Sequence, residues 1–170
     1  RINQKGTKLS NADFVMSKIA VYEKNRGDEY GMNLRKFLDY FCNLAVEPIQ
    51  YKDIEENDKK FIETEYYRHI AWLKNEQSDL YDPEYSDILQ TVLALQFDRN
   101  KLGELVSLLS GRDFEKRADF KEIADESFEK LRDGLYKYTR EYSFKHFIED
   151  VLMASGYGDK AILTAQNAIN

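Results

Sequence analysis

The sequence predicts an all-α protein, an irregular bundle of about seven or eight helices. Three observations carry this. Seven segments of the 170-residue chain repeat apolar residues at the 3.6-residue period of a helix. None sustains the two-residue alternation of a half-buried strand. The two prolines and eight glycines fall mostly where the periodic segments stop.

Taken in order, Ser10 and Asp13 stand three residues apart ahead of an apolar run, the spacing of a capping box, so a first helix starts near Asn11. Val15, Ile19 and Tyr22 carry it to about Glu23, and a loop with two glycines covers Lys24 to Gly31. Leu34, Phe37, Leu38, Phe41 and Ala45 stripe a second helix from about Asn33 to Val46, which Pro48 ends by removing an N–H. Tyr51 to Asn57 is polar and acidic and reads as a connection. Ile62, Tyr66, Ile70 and Leu73 mark a third helix from about Asp58 to Lys74, with Trp72 beside the stripe.

Asp82-Pro83 places a capping acid before a proline suited to a first helical turn, so a fourth helix begins there. Ile88, Leu89, Val92, Leu93, Ala94, Leu95 and Phe97 leave it almost no polar face, as expected of a central helix. Asp98 to Asn100 breaks the chain before Leu102, Leu105, Val106 and Leu109, and Gly111 supplies the left-handed residue that stops many helices. Phe120, Ile123, Ser127, Leu131, Leu135, Tyr138 and Tyr142 define the longest helix, from about Ala118 to Tyr142. Ser143 caps the next, lined by Phe144, Phe147, Ile148, Val151 and Leu152 up to Gly156, and a short last helix follows Asp159.

Composition narrows the function classes. A chain of 170 residues is one domain's worth, with no linker, repeat or low-complexity tract. The single Cys42 lies among apolar residues and reads as a small buried hydrophobe in a reducing compartment. No window approaches the ~18 uncharged apolar residues of a membrane helix, so the expectation is a soluble, cytoplasmic protein without a membrane partner. With 31 acidic against 25 basic residues the net charge of −6 gives no general attraction to phosphate backbones, and any DNA contact needs a local patch. The 12 tyrosines and 10 phenylalanines sit at helical spacings and read as core with hydroxyls at its edge rather than as a base-stacking surface.

Groups able to converge on chemistry are few. His69 and His146 are the two histidines. Glu65 and His69 are spaced i, i+4, whereas di-iron bundles repeat Glu-x-x-His on two helices, so no metal site is expected. His146 with Glu149 and Asp150 can be read as an acid/base cluster, and Arg140 six residues before His146 resembles the Arg-x-x-x-x-His arrangement of small helical ribonucleases, but a helix end at Ser143 would separate Arg140 from His146. That set reads as a solvated surface. Gly-rich phosphate loops are absent. No catalytic residue is assigned.

The opening stretch, Arg1 to Asp13, is the most chemical place. An Arg1 guanidinium suits two phosphate oxygens at once, Asn3 suits a base or a water, and a Gly6-Thr7 turn can aim backbone N–H groups at an anion. Equally, Arg1 and Asn3 can serve only to satisfy a turn that joins a sheet to the bundle. On this reading the chain is a fragment: residues 1–10 connect it to a missing core, and residues 1–170 form one helical domain.

Arg1-Ile2-Asn3, Gly6-Thr7 and Leu9-Ser10 followed by Ala12-Asp13 resemble the segment after the catalytic core in the GmrSD-type restriction-endonuclease N-terminal domain family. Leu109-Ser110-Gly111-Arg112-Asp113-Phe114, Glu126-Ser127-Phe128, Phe144, Phe147, Gly156 and Gln166-Asn167-Ala168 are similar to its helical half, in the same order.

The resemblance implies a larger protein that restricts foreign, often modified, phage DNA. It implies a ParB-like α/β core whose Asp-Gly-Gln-Gln-Arg motif hydrolyses a nucleoside triphosphate with a divalent metal, and often a C-terminal HNH-like nuclease. Arg1 and Asn3 would adjoin the nucleotide, and Gly6 and Leu9 would shape the turn. Neither the Asp-Gly-Gln-Gln-Arg motif nor an HNH-like cluster occurs here, so the chain alone is expected to be inert and without a cofactor. The alternative is a helical protein-interaction module with no nucleotide or DNA chemistry.

Overall fold

The structure is a computed structural model that describes residues 10–25, 33–76, 83–113 and 119–148. The described residues form nine α-helices and no strand. They are α1 (Asn11–Asn25), α2 (Asn33–Val46), α3 (Tyr51–Asn57), α4 (Lys59–Ile62), α5 (Glu65–Ile70), α6 (Tyr85–Phe97), α7 (Leu102–Leu109), α8 (Phe120–Tyr138) and α9 (Glu141–Ser143). Short 3-10 turns follow α2 and α5, and a π-helical turn, Phe144–Ile148, follows α9. No described helix is long and apolar enough to cross a membrane.

The stripes read from the sequence are the faces that pack. Val15 and Ile19 of α1, Leu34, Phe37, Leu38 and Phe41 of α2, Ile88, Leu89, Val92 and Leu93 of α6 and Leu131 and Leu135 of α8 are wholly buried in one cluster. Contacts of α6 with α8, α1 with α7 and α7 with α8 form its centre. There α6 and α8 approach closely: a Cβ at Gly134 would lie 2.6 Å from Val92 Cγ1. An aromatic wall of Phe37, Tyr66, His69 and Tyr136 joins α2, α5 and α8, and Phe41 carries it to Trp72 and Phe144.

Tyrosine hydroxyls clasp carboxylates across this core. Tyr22 bonds Asp125, Tyr40 bonds Asp58 at 2.8 Å, Tyr67 bonds Glu55 and Tyr85 bonds Asp13. Each is an amphipathic ring whose body is packed and whose oxygen reaches a charge at the edge.

The third helix expected over Asp58 to Lys74 is instead α4, α5 and a 3-10 turn, and the expected connection Tyr51 to Asn57 is α3. Local capping wins over the apolar period. Asp58 Oδ1 accepts from Phe61 N–H at 3.3 Å to open α4, and Thr64 Oγ1 accepts from Tyr67 N–H at 3.4 Å to open α5.

Helix α6 begins at Tyr85, where the Glu84 N–H donates to Asp87 Oδ2 at 2.9 Å; Asp82 lies outside the described residues. It is less uniformly apolar inside than expected: Asp87 and Thr91 are buried while Leu95 is 40% exposed. Helix α8 stops at Tyr138 rather than Tyr142, and the stripe residues Phe120 and Tyr142 are each 68% exposed. Thr139 folds back on Leu135 O at 2.6 Å and Arg140, not Ser143, caps the following turns. The two-glycine loop beyond Asn25, Val151, Leu152, Gly156 and the last helix after Asp159 lie outside the described residues.

Candidate functional site

Arg1, Asn3, Gly6 and Thr7 all lie outside the described residues. What is described is the junction they run into. Ser10 N–H donates to Asp13 Oδ2 at 2.9 Å and Asp13 N–H donates back to Ser10 Oγ at 3.1 Å, the reciprocal bonds of the capping box expected there. Tyr85 Oη, from the start of α6, donates to Asp13 Oδ1. The entry to α1 is therefore tied both to its own first turn and to a helix 72 residues away in sequence.

Beside this junction opens a groove of about 840 Å³ between the starts of α1 and α6 and the middle of α2, lined by Asp13, Asp39, Cys42 and Glu84 among others. Its electrostatics are acidic. Burial pushes the Asp39 carboxyl above its ordinary range against the pull of Arg35. Burial, then Asp39, Asp87 and Glu84, push the Cys42 thiol well above its ordinary value. A half-buried thiol held protonated is neither a nucleophile nor a thiolate ligand, which keeps Cys42 in the packing role expected of it.

His69 is half-buried, and its partners are structural. Its Nε2 lies 2.8 Å from Tyr136 O and 3.1 Å from Thr139 Oγ1, and its ring stacks on Tyr136 at 4.3 Å between centroids. A carbonyl can only accept, and the Thr139 hydroxyl already donates to Leu135 O, so Nε2 carries the hydrogen and donates. Burial lowers the His69 pKa, the Tyr136 carbonyl opposes this and Arg140 adds to it. Trp72 Nε1 donates to Thr139 O at 3.1 Å, so α5 and its 3-10 turn together satisfy the C-terminal carbonyls of α8.

No group of three or more His, Cys, Asp or Glu side chains suited to a metal ion occurs among the described residues, so Glu65 and His69 acquire no further ligands there. Around His146, Phe144 N–H bonds Arg140 O at 2.7 Å and Glu141 to Ile148 run as consecutive helical turns with Arg140 as their N-cap; the helix break at Ser143 that was expected to separate Arg140 from His146 is absent. His146 lies tilted against Tyr142, 4.4 Å between ring centroids, in an exposed turn, while Arg140 lies close enough to His69 to act on its charge. Glu149 and Asp150 lie outside the described residues.

A second set of clefts, at the ends of α6 and α7, collects charged side chains that pattern reading passed over. Arg99 lines all of them, bonded to Asp113 at 3.4 Å and 4.0 Å from Glu104. The available signal was indirect: the break at Asp98–Asn100 and the stop at Gly111, both legible, place the arginines that follow them. Compared with protein-family models, curated proteins and solved structures, the chain matches none.

Proposed function

We propose that this bundle is the helical part of a GmrSD-like, nucleotide-dependent restriction protein, in which it serves as scaffold and presents the segment Arg1 to Thr7 to a nucleotide-binding α/β core. The observation that carries the reading is the anchoring of α1. Its first turn is closed by Ser10 and Asp13 and locked to α6 by Tyr85, so the chain just before it is delivered from a fixed point. Support also comes from the other polar groups: His69, Trp72, Asp58 and Glu55 are engaged in holding helices together. On this reading the nucleoside triphosphate, its divalent metal and the DNA are handled by the parent protein's core and nuclease.

The isolated chain is expected to hydrolyse no nucleotide and to cut no DNA. In the longer protein, Arg1→Ala is expected to lower hydrolysis per folded molecule, because a guanidinium's fork of donors has no substitute among the other side chains. A lower melting temperature with hydrolysis per folded molecule unchanged would assign Arg1 to the turn instead.

A helical protein-interaction module is the second reading, favoured by exposed apolar side chains such as Phe14 and Val21 on α1 and Val46 and Ile49 at the end of α2. The two are separated by the sequence upstream of Arg1. If no Asp-Gly-Gln-Gln-Arg-like motif lies within about a domain's length of it, the restriction reading is lost.

A further inference from the structure

We infer that the cleft between the first turn of α1 and the two ends of α7 is a binding site for a phosphate-bearing ligand. The cleft holds about 280 Å³ and is lined by three cations, Arg99, Lys101 and Arg112, by two carboxylates, Glu104 and Asp113, and by the neutral donors Asn11 and Ser107. This goes beyond the restriction reading and does not depend on it, because the site belongs to the bundle itself.

The backbone is built to put the two arginines there. Among the described residues only Asp98, with φ 54°, and Gly111, with φ 88°, occupy the left-handed region, and each directly precedes one of them. At the end of α6, Asp98 N–H and Arg99 N–H both turn back on Leu93 O. At the end of α7, Gly111 N–H donates to Leu108 O at 3.0 Å and Arg112 N–H to Ser107 O at 2.9 Å, the paired bonds of a Schellman motif. Asp98 is one of the few non-glycine residue types that tolerates the left-handed region, and there it ends α6 and turns the chain toward Arg99.

The charges divide into fixed and available. Arg99 is held by Asp113, and Glu104 stands 4.0 Å away, so its guanidinium forms a rigid wall whose charge is largely met. Arg112 is exposed and Lys101 is exposed, and neither has an ion pair among the described residues. Both line the same cleft as the Ser107 hydroxyl and the Asn11 amide, which lies against Gly103. With Asp113 and Glu104 set against Arg99, the remaining two cations and the neutral donors beside them form a set suited to a tetrahedral oxyanion. On its other side Arg99 borders a cleft where Glu126, Glu129 and Asp133 outnumber Lys130, a setting less favourable to an anion than the α7 side.

Inorganic pyrophosphate and a 12-base-pair DNA duplex are the probes, each titrated into the 170-residue chain while backbone amide shifts are followed. Saturable shifts at Gly103, Ser107 and Arg112 are expected with at least one probe. Arg112→Gln with Lys101→Gln should weaken that binding about tenfold or more, the loss of two charge-assisted contacts. Lys52→Gln with Lys60→Gln, which removes the same net charge from the exposed surface of α3 and α4, should leave it unchanged.

Saturation by pyrophosphate alone identifies a nucleotide-type polyphosphate. Saturation by the duplex, with a salt dependence reduced in slope by about two in the cleft variant, identifies the nucleic-acid backbone. No shift at Ser107 and Arg112 with either probe, equal weakening by the charge-matched control, or an equal response to an oligoglutamate peptide overturns the assignment.

Discussion

At the residue scale the described chemistry is the chemistry of holding carbonyls and carboxylates in place. His69 illustrates it: a neutral ring donates through Nε2 to the end of α8, and burial keeps its pKa below the ordinary histidine value. The sign follows directly. Because the folded pKa lies below the unfolded one, the unfolded chain binds the proton more readily, so His69 stabilises the fold fully above about pH 6.5 and progressively less below it. His69→Ala is expected to cost roughly 1–3 kcal/mol at pH 8, through the lost bonds and stacking. That cost should shrink as the pH falls from about 6.5. Urea melts of both proteins from pH 5 to pH 8 check it, and a constant difference would show that the ring is not held neutral.

Tyr40 reports the titration of a carboxylate. Burial, and then its bond to Asp58, push its phenol up to about 12. Burial resists ionisation of Asp58, but Lys36, Tyr40 and the Phe61 N–H outweigh it and hold the carboxyl below the ordinary range. A depressed carboxyl gives stability that is complete above its unfolded pKa and is lost as pH falls through the folded one. Tyr40→Phe removes the hydroxyl and little else. It should cost about 1 kcal/mol at neutral pH, and urea melts should show the difference from wild type shrinking as the pH falls below the ordinary aspartate range.

At the element scale, ends decide more than periods. The capping box at Ser10 and Asp13 and the stop at Gly111 were legible because their partners lie within a few residues. The bounds of α2 and α7 followed from stripes ended by Pro48 and Gly111 for the same reason. The division of residues 58–75 into three pieces was not legible, because Ile62, Tyr66, Ile70 and Leu73 keep one helical period across a break that Thr64 imposes.

Gly111→Ala tests the strongest of these ends. At φ 88° an L side chain is strained, and the new Cβ would meet the Phe120 carbonyl oxygen at 2.5 Å, a backbone atom that cannot swing away. The left-handed conformation alone costs roughly 1–2 kcal/mol, so a total of at least ~2 kcal/mol is expected in denaturant melts. A loss below about 0.5 kcal/mol would mean that the turn after α7 relaxes freely.

At the scale of the whole molecule, the all-α architecture and the central place of α6 were readable from composition and period, since a helix with apolar residues on most sides must be surrounded. How the helices meet was not readable. Tyr85 to Asp13, Tyr22 to Asp125 and His69 to Tyr136 span 72, 103 and 67 residues of sequence, and nothing local announces such pairings. The charged cleft of Arg99 and Arg112 shares that cause: its cations lie on the turns at the two ends of α7, and the packing of α7 against α1 brings Asn11 to them.

Packing at the α6–α8 contact makes two opposite changes informative together. Leu93 is wholly buried, and Leu93→Ala should leave a cavity costing roughly 2–5 kcal/mol. Gly134 has no room, and Gly134→Ala forces a Cβ to within 2.6 Å of the Val92 methyl and 3.4 Å of Gln96 Cγ. Its helix-propensity gain of up to ~1 kcal/mol is therefore offset by overpacking of ~1–3 kcal/mol. Both variants should lower the melting temperature, although one empties the core and the other fills it. A more stable Gly134→Ala protein would show that α6 and α8 can part without loss. A Leu93→Ala cost under about 1 kcal/mol would show that α6 is not the helix on which the bundle is built.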